Sequence, residues 1–320
     1  MSDLVSLDAV YDARDRVKDV VIHTPLVRPG RQDGDRPLAV KPESLQPTGA
    51  FKLRGAYNAV AVLDPEKRRA GVVAHSSGNH GRAVAWAARA FDVPAVIVTP
   101  DDAPAVKVEG MRALGAELMF VQGEPIAMAE QVADERGATL IRPYDAEDVI
   151  AGQGTVGVEI AEDAPDVEVV LVPVGGGGLI SGVALAVAEL CPDAKVIGVE
   201  PELAGDARES MTSGRRVEWT DGRARRTIAD GLRSSAVGAL PWAHIQRYVH
   251  DIVTVTEDEI RASMRTLALD YRVVAEPSGA VAPAAAFHHD TELPSGRTVA
   301  VMSGGNVEPA VLADVLAARR

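Results

Sequence analysis

Short apolar runs rich in valine and isoleucine alternate along the chain with alanine-rich stretches of helical period. The runs include Gly71–Ala74, Ala95–Thr99, Glu117–Val121, Val169–Val174, Lys195–Val199 and Thr298–Met302; the helical stretches include Arg82–Phe91, Val106–Leu114, Ile126–Arg136 and Leu179–Leu190. Within each run the apolar residues are continuous, the pattern of strands buried on both faces of a parallel sheet. Strands and helices alternating at these lengths predict βαβ units, hence an α/β fold of mainly parallel open sheets flanked by helices. Thr256-Glu257-Asp258-Glu259 has the spacing of a capping box and predicts a helix from there through Leu269. Pro29–Asp35 is polar and turn-rich and reads as a surface loop. No repeat, low-complexity tract, regulatory extension or shift of composition stands out.

Val169–Ala188 carries no charge, but Pro173 and four successive glycines divide it, so it predicts a buried strand, a loop and a helix in place of a membrane span. With 320 residues, 47% hydrophobic and 25% charged, the chain has material for one large or two medium domains. A net charge of −13 argues against nucleic acid or an anionic membrane surface as partner. The single cysteine, Cys191, leaves no internal disulfide and fits a reducing compartment. Met1–Asp8 lacks the basic and apolar regions of a secretory leader, so a cytoplasmic location is expected.

The apolar run ending at Val174 is followed by Gly175, Gly176, Gly177 and Gly178, and then by a helical pattern. Glycines at the N-terminus of a helix let several backbone N–H groups converge on one point with no side chain in the way, which makes an anion site. The dinucleotide fingerprint G-x-G-x-x-G does not fit: only the frame from Gly177 ends on glycine, at Gly182, and its middle position is Leu179. A nicotinamide cofactor is disfavoured, and a ligand with one compact phosphate is expected. Lys52, within Thr48-Gly49-Ala50-Phe51-Lys52-Leu53-Arg54-Gly55-Ala56, stands among small residues where a helix begins; the helix dipole there opposes its charge and lowers its pKa, as a Schiff-base lysine requires.

Those two segments occur in order with Ser76-Ser77-Gly78-Asn79-His80-Gly81, Ala151-Gly152-Gln153-Gly154-Thr155, Val199-Glu200-Pro201, Thr227-Ile228-Ala229-Asp230-Gly231 and Ser303-Gly304-Gly305-Asn306. Over essentially its whole length the chain resembles the fold-type II pyridoxal-phosphate (PLP) enzymes, specifically the threonine/serine dehydratase and serine racemase group. The resemblance implies a two-domain, tryptophan synthase β-like fold. Residues 1–70 and 145–320 would form the large PLP-binding domain and 71–144 a small inserted domain that closes over substrate. It also implies a homodimer. Lys52 is similar to the lysine bonded to PLP, Phe51 to its ring-packing neighbour, Asn79 to the asparagine on the PLP 3′-oxygen, Gly175–Gly178 to the phosphate loop, and Ser303 to the serine facing the pyridine nitrogen. Ser76, Gly78, Asn79 and His80 match the loop that receives the substrate carboxylate; no proton-transfer role is expected of His80.

The activity so implied is loss of a β-hydroxyl from a small amino acid such as serine or threonine, giving a 2-oxo acid and ammonia, with Lys52 removing the Cα proton. A neutral Ser303 cannot hold a pyridinium as a carboxylate would, which favours elimination over transamination. Ser77 matches the serine that acts on the opposite face in the resembling racemases, where many dedicated dehydratases carry alanine. Racemase activity, dehydration of 3-hydroxyaspartate and a catalytically idle PLP-binding protein are the alternatives. Glu200, Ala204 and Asp206 match a divalent-cation site of racemase-like members, with hard oxygen ligands suited to Mg²⁺ or Ca²⁺ in a structural role. Two positions depart from the pattern: Ala50 stands where serine is frequent, and Met128 near where racemase-like members carry arginine.

Overall fold

The computed structural model describes residues 4–29, 37–76, 78–101, 103, 105–122, 125–289 and 291–318; most of the expected loop Pro29–Asp35 lies outside them. Nine strands form among these residues: β1 (Leu38–Pro42), β2 (Val72–His75), β3 (Ala95–Pro100), β4 (Glu117–Val121), β5 (Thr139–Leu140), β6 (Val169–Pro173), β7 (Lys195–Pro201), β8 (Asp251–Val255) and β9 (Thr298–Met302). One sheet has the order β1-β9-β6-β7-β8, the other β4-β3-β2-β5, and every pairing is parallel. The protein is therefore an α/β protein of open parallel sheets.

Strand chemistry explains both layers. Along β6, Val169 and Leu171 face one side, where they meet Ile260, Met264 and Ala280–Ala285 of helices Glu257–Thr266 and Pro277–His288. Val170 and Val172 face the other and meet Val156, Ile160, Ile180 and Val183 of helices Glu147–Asp163 and Gly178–Leu190. A strand covered on both faces has no polar side, hence its unbroken apolar run. The smaller sheet repeats the arrangement: Val72, Ala74 and Ile97 pack on helix Asn79–Ala90 and on Ala56, Ala59 and Val60 of helix Lys52–Ala61, while Val73, Val96 and Val98 pack on helix Pro125–Arg136. Met128 lies with this second cluster.

Most of the expected elements form within two or three residues of their predicted ends. The capping box is complete, Thr256 Oγ1 accepting from the Glu259 N–H at 3.2 Å and Glu259 Oε2 from the Thr256 N–H at 2.7 Å. That helix stops at Thr266, short of the expected Leu269. It widens into a π turn, Leu267–Tyr271, closed by the Arg272 N–H on the Leu267 carbonyl. Val169–Ala188 divides into β6, a glycine turn and the helix from Gly178. No helix among the described residues is long and apolar enough to cross a membrane.

Where β1 meets helix Lys52–Ala61, four ionised side chains are buried together. Arg54 donates to Glu43 through Nε at 2.7 Å and Nη2 at 2.8 Å, and to Glu159 through Nη1 at 2.7 Å and Nη2 at 2.9 Å. Lys41 reaches Glu159 at 2.7 Å and donates to the Thr24 carbonyl at 2.6 Å. Two cations thus face two buried carboxylates, and Lys41 also lies 3.7 Å from the partly exposed Asp163. Burial works to raise the Glu43 carboxyl, but the Arg54 guanidinium overrides it and holds the group below its ordinary value. Removing one member of such a cluster strands a buried charge. Arg54→Met is therefore expected to cost about 3–5 kcal/mol of stability in urea unfolding, and Arg54→Met with Glu43→Gln, which leaves Lys41 paired with Glu159, to recover part of that loss. A single variant as stable as wild type would show that the cluster contributes nothing.

Candidate active site

Helix Lys52–Ala61 begins at the lysine that the sequence singles out, directly after Phe51. The Phe51 N–H donates to the Ser303 carbonyl at 3.0 Å, and Ala50 bridges to Gly304. Segment 50–52 is thus tied to the end of β9. Lys52 Nζ donates to the Pro143 carbonyl at 2.7 Å and sits 5.1 Å from the Phe51 ring centre. Loss of water around the ammonium brings its pKa down to about 8. The helix dipole predicted the direction; burial is the cause.

Tyr144, next to Pro143, leads from the lysine to the glycine loop. A Cβ on Gly176 would lie 2.1 Å from the Tyr144 ring and one on Gly178 2.9 Å from its Cα; one on Gly175 would crowd Leu232 at 3.1 Å. Gly177 has φ +88°, a left-handed conformation that glycine adopts without strain. No backbone N–H from Gly175 through Gly178 finds an acceptor among the described residues. A loop with no room for side chains of its own, with donors unpaired among the described residues at the start of helix Gly178–Leu190, fits a phosphate.

Asn79 opens helix Asn79–Ala90. Its Nδ2 donates to Glu276 Oε1 at 2.5 Å and its Oδ1 accepts from Asn306 at 2.8 Å. Ser303 is buried, its hydroxyl 3.4 Å from the Ser278 carbonyl. Ser76 Oγ accepts from the Gly78 N–H at 3.0 Å. His80 is buried with Nε2 2.9 Å from the Ile141 carbonyl; burial first, then the charge of Lys52, lower its pKa to about 3, so the ring is neutral at physiological pH. Ser77 lies outside the described residues. Lys52, Phe51, Asn79 and Ser303 therefore converge with the glycine loop around one region.

Several residues of this region escaped the sequence. Glu276 precedes Pro277 at the start of a helix, where an acid ordinarily caps, yet its side chain makes no cap bond and turns to Asn79. Burial pushes its carboxyl up to about 7, with Asp230 adding to the rise and Lys107 opposing it, and Oε2 has no partner among the described residues. Lys107 itself is paired with Asp230, and the two bridge helix Ala105–Arg112 to the turn at Asp230–Leu232.

Glu200, Ala204 and Asp206 stand apart, at the end of β7 and the start of helix Asp206–Ser213. Glu200 accepts from the N–H groups of Ala207 at 3.0 Å and Arg208 at 2.7 Å. Burial, and next the charge of Asp206, raise Glu200 well above the usual carboxylate range, and burial pushes Asp206 up to about 7. Asp206 Oδ2 is buried without a partner among the described residues.

A partly buried lysine of lowered pKa beside a cradle for a single phosphate defines an enzyme built around a phosphorylated carbonyl cofactor. Residues 17–304 match the pyridoxal-phosphate dependent enzyme family, and the chain belongs to it. It is 40% identical over 310 residues to the L-threonine ammonia-lyase of Thermotoga maritima, covering 95% of this chain and 76% of that protein. With the L-threo-3-hydroxyaspartate ammonia-lyase of Saccharomyces cerevisiae the identity is 42% over 305 residues, covering 93% and 92%. The structure of maize serine racemase superposes with a TM-score of 0.91 at 35% identity, covering 98% of this chain and 97% of that one.

The lysine makes a prediction about cofactor uptake. Only the neutral amine adds to the cofactor's aldehyde, so loading of stripped protein followed by visible absorbance should speed up about tenfold per pH unit below about pH 8 and level off above it. Lys52→Ala should show no such band at any pH, and a pH-independent loading rate in wild type would contradict the lowered pKa.

Proposed function

We propose that this protein is an L-threonine/L-serine ammonia-lyase that eliminates the β-hydroxyl to give a 2-oxo acid and ammonia. The observation that carries the reading is Lys52, partly buried, with a pKa of about 8 and held beside the glycine cradle; the high identity to ammonia-lyases over almost the whole chain supports it. PLP, when bound, supplies the electron sink that acidifies the substrate Cα. Lys52 then takes the Cα proton, a task suited to an amine whose pKa lies near the working pH. Gly175–Gly178 hold the phosphate, and Phe51 packs beside the ring. Ser303 would offer the pyridine nitrogen a hydroxyl in place of a carboxylate, which favours elimination over transamination. The substrate carboxylate goes to the loop of Ser76, Gly78, Asn79 and His80, where the first turn of helix Asn79–Ala90 has N–H groups without intrahelical acceptors. His80, neutral and tied to Ile141, transfers no proton.

Residues 71–144 act in this proposal as the small domain, contributing the smaller sheet, and 1–70 with 145–320 as the large PLP-binding domain. A cytoplasmic homodimer is part of the same reading. A second activity, racemisation or dehydration of 3-hydroxyaspartate, draws support from the likeness to maize serine racemase and the yeast 3-hydroxyaspartate enzyme and from Ser77, proposed to exchange a proton on the face opposite Lys52. Pyruvate release from L-serine tests the main reading and separates an enzyme from an idle PLP carrier. Ser77→Ala is expected to suppress serine racemisation, read by chiral chromatography, while retaining part of the dehydration. Equal loss of both activities would remove Ser77 from proton transfer.

Glu200 and Asp206 fit a divalent cation, because two neighbouring buried carboxyls, one oxygen of which is unpaired, gain most from a positive charge. Together with the Ala204 carbonyl they would hold Mg²⁺ or Ca²⁺, whose effect would be on stability. Melting temperature is expected to rise with either ion and fall with chelator, and Glu200→Ala to abolish the response. A wild-type melt indifferent to both would exclude the site.

A further inference from the structure

Asn79 has a carboxamide, whose two ends are alike in shape and opposite in hydrogen-bonding sense. Only one orientation places its NH₂ where it donates to the cofactor, so the orientation has to be set by something that cannot itself turn over. The neighbours of Asn306 supply that constraint. Arg82 Nη1 donates to Asn306 Oδ1 at 3.0 Å, and Asn306 Nδ2 donates to the Thr48 carbonyl at 2.9 Å and to Asn79 Oδ1 at 2.8 Å. A guanidinium has no acceptor and a backbone carbonyl no donor, so the two ends of Asn306 are assigned by their partners' chemistry. Both N–H groups of Asn306 are committed, so the Asn79 atom facing it must accept, which turns the Asn79 NH₂ to the opposite side. There one N–H meets Glu276 Oε1 at 2.5 Å, and the other is left over for a ligand.

Two further features hold Asn306 in place. Gly49 lies against it so closely that a Cβ there would sit 2.3 Å from Asn306 Oδ1, and its φ of +75° is itself a left-handed conformation. Arg82 is one turn beyond Asn79 on the same helix, so the residue that fixes Asn306 moves with the residue that Asn306 fixes.

We infer that Asn306 is a positioning residue for the reaction, fixed by Arg82, which locks the Asn79 amide with its NH₂ toward the 3′-oxygen of the cofactor. The inference rests on the reading that places Asn79 at that oxygen. In the reversed orientation Asn79 would oppose one lone pair to another there, losing a charge-assisted hydrogen bond.

Asn306→Asp tests this with nearly unchanged shape. The carboxylate still pairs with Arg82 but has no proton to donate to Asn79 Oδ1, so the lock is released. In holoenzyme, N306D is expected to change the pH dependence of the visible absorption spectrum in the same direction as Asn79→Ala, and to weaken PLP affinity about tenfold or more. Arg82→Met, which frees Asn306 to turn, should produce a smaller change of the same sign. A purely structural role would lower melting temperature and leave the spectrum of the folded fraction as in wild type. The inference is overturned if N79A alters the spectrum while N306D and R82M superimpose on wild type; should N306D not fold, an unaltered R82M spectrum overturns it alone. Failure of the underlying reading looks different: N79A itself would match wild type, or Lys52→Ala would keep the visible band.

Discussion

Arg54 is the largest fully buried side chain of the described residues, and the start of the lysine-bearing helix is held through the neutralisation of its charge. Its guanidinium ties Glu43, just past β1, to Glu159 in helix Glu147–Asp163, and its own position is two residues beyond Lys52. A lysine amine holds its place only as well as the helix that carries it. Here the helix is fixed by directional, charge-assisted bonds to two separate elements as well as by apolar packing of one face. Such clusters are weak evidence of stability, since an apolar replacement can do as well. Directionality is what an apolar replacement would lack.

Around the lysine, low polarity moves three ionisable groups toward their neutral forms. Lys52 comes down to about 8, Glu276 goes up to about 7 and His80 falls to about 3, with burial the leading cause in all three. Taking a charge out of water leads each shift, and Lys52 at His80 and Asp230 at Glu276 add to it. The result is a region with few fixed charges of its own, in which one added dianion and one added carboxylate would dominate the local field. The amides of the glycine loop, unpaired among the described residues, and those of the first turn of helix Asn79–Ala90 stand where such anions are neutralised.

Much of this was legible in the sequence because it is local. Strands β4 and β9 have the limits their apolar runs predict, and the glycine loop and Lys52 announce themselves by composition within a few residues. Elements that break the pattern were not: β5 has two residues, too few for any period, and β1 has a lysine and a proline among its five. The lysine in β1 reads as a surface residue until its partner Glu159 is known. Glu276 and Asn306 were illegible as site residues for the same reason, since the contacts that give them meaning cross 197 and 227 residues. Sequence shows what a residue is able to do; distance along the chain hides what it touches.

The order β1-β9-β6-β7-β8 places the first strand of the larger sheet beside the last. β1 lies at the edge of the sheet, pairs in parallel with β9 and bridges to Val27. During synthesis from the N-terminus, the strands of the smaller sheet emerge together between residues 72 and 140 and are able to pair at once. The larger sheet cannot close until residues 298–302 leave the ribosome. Until then β1 and β6 each lack the neighbour that joins them, and the apolar faces described for β6 have only part of their cover. Completion of the lysine-bearing region is in this way a late event of high contact order, governed by loop closure across most of the chain.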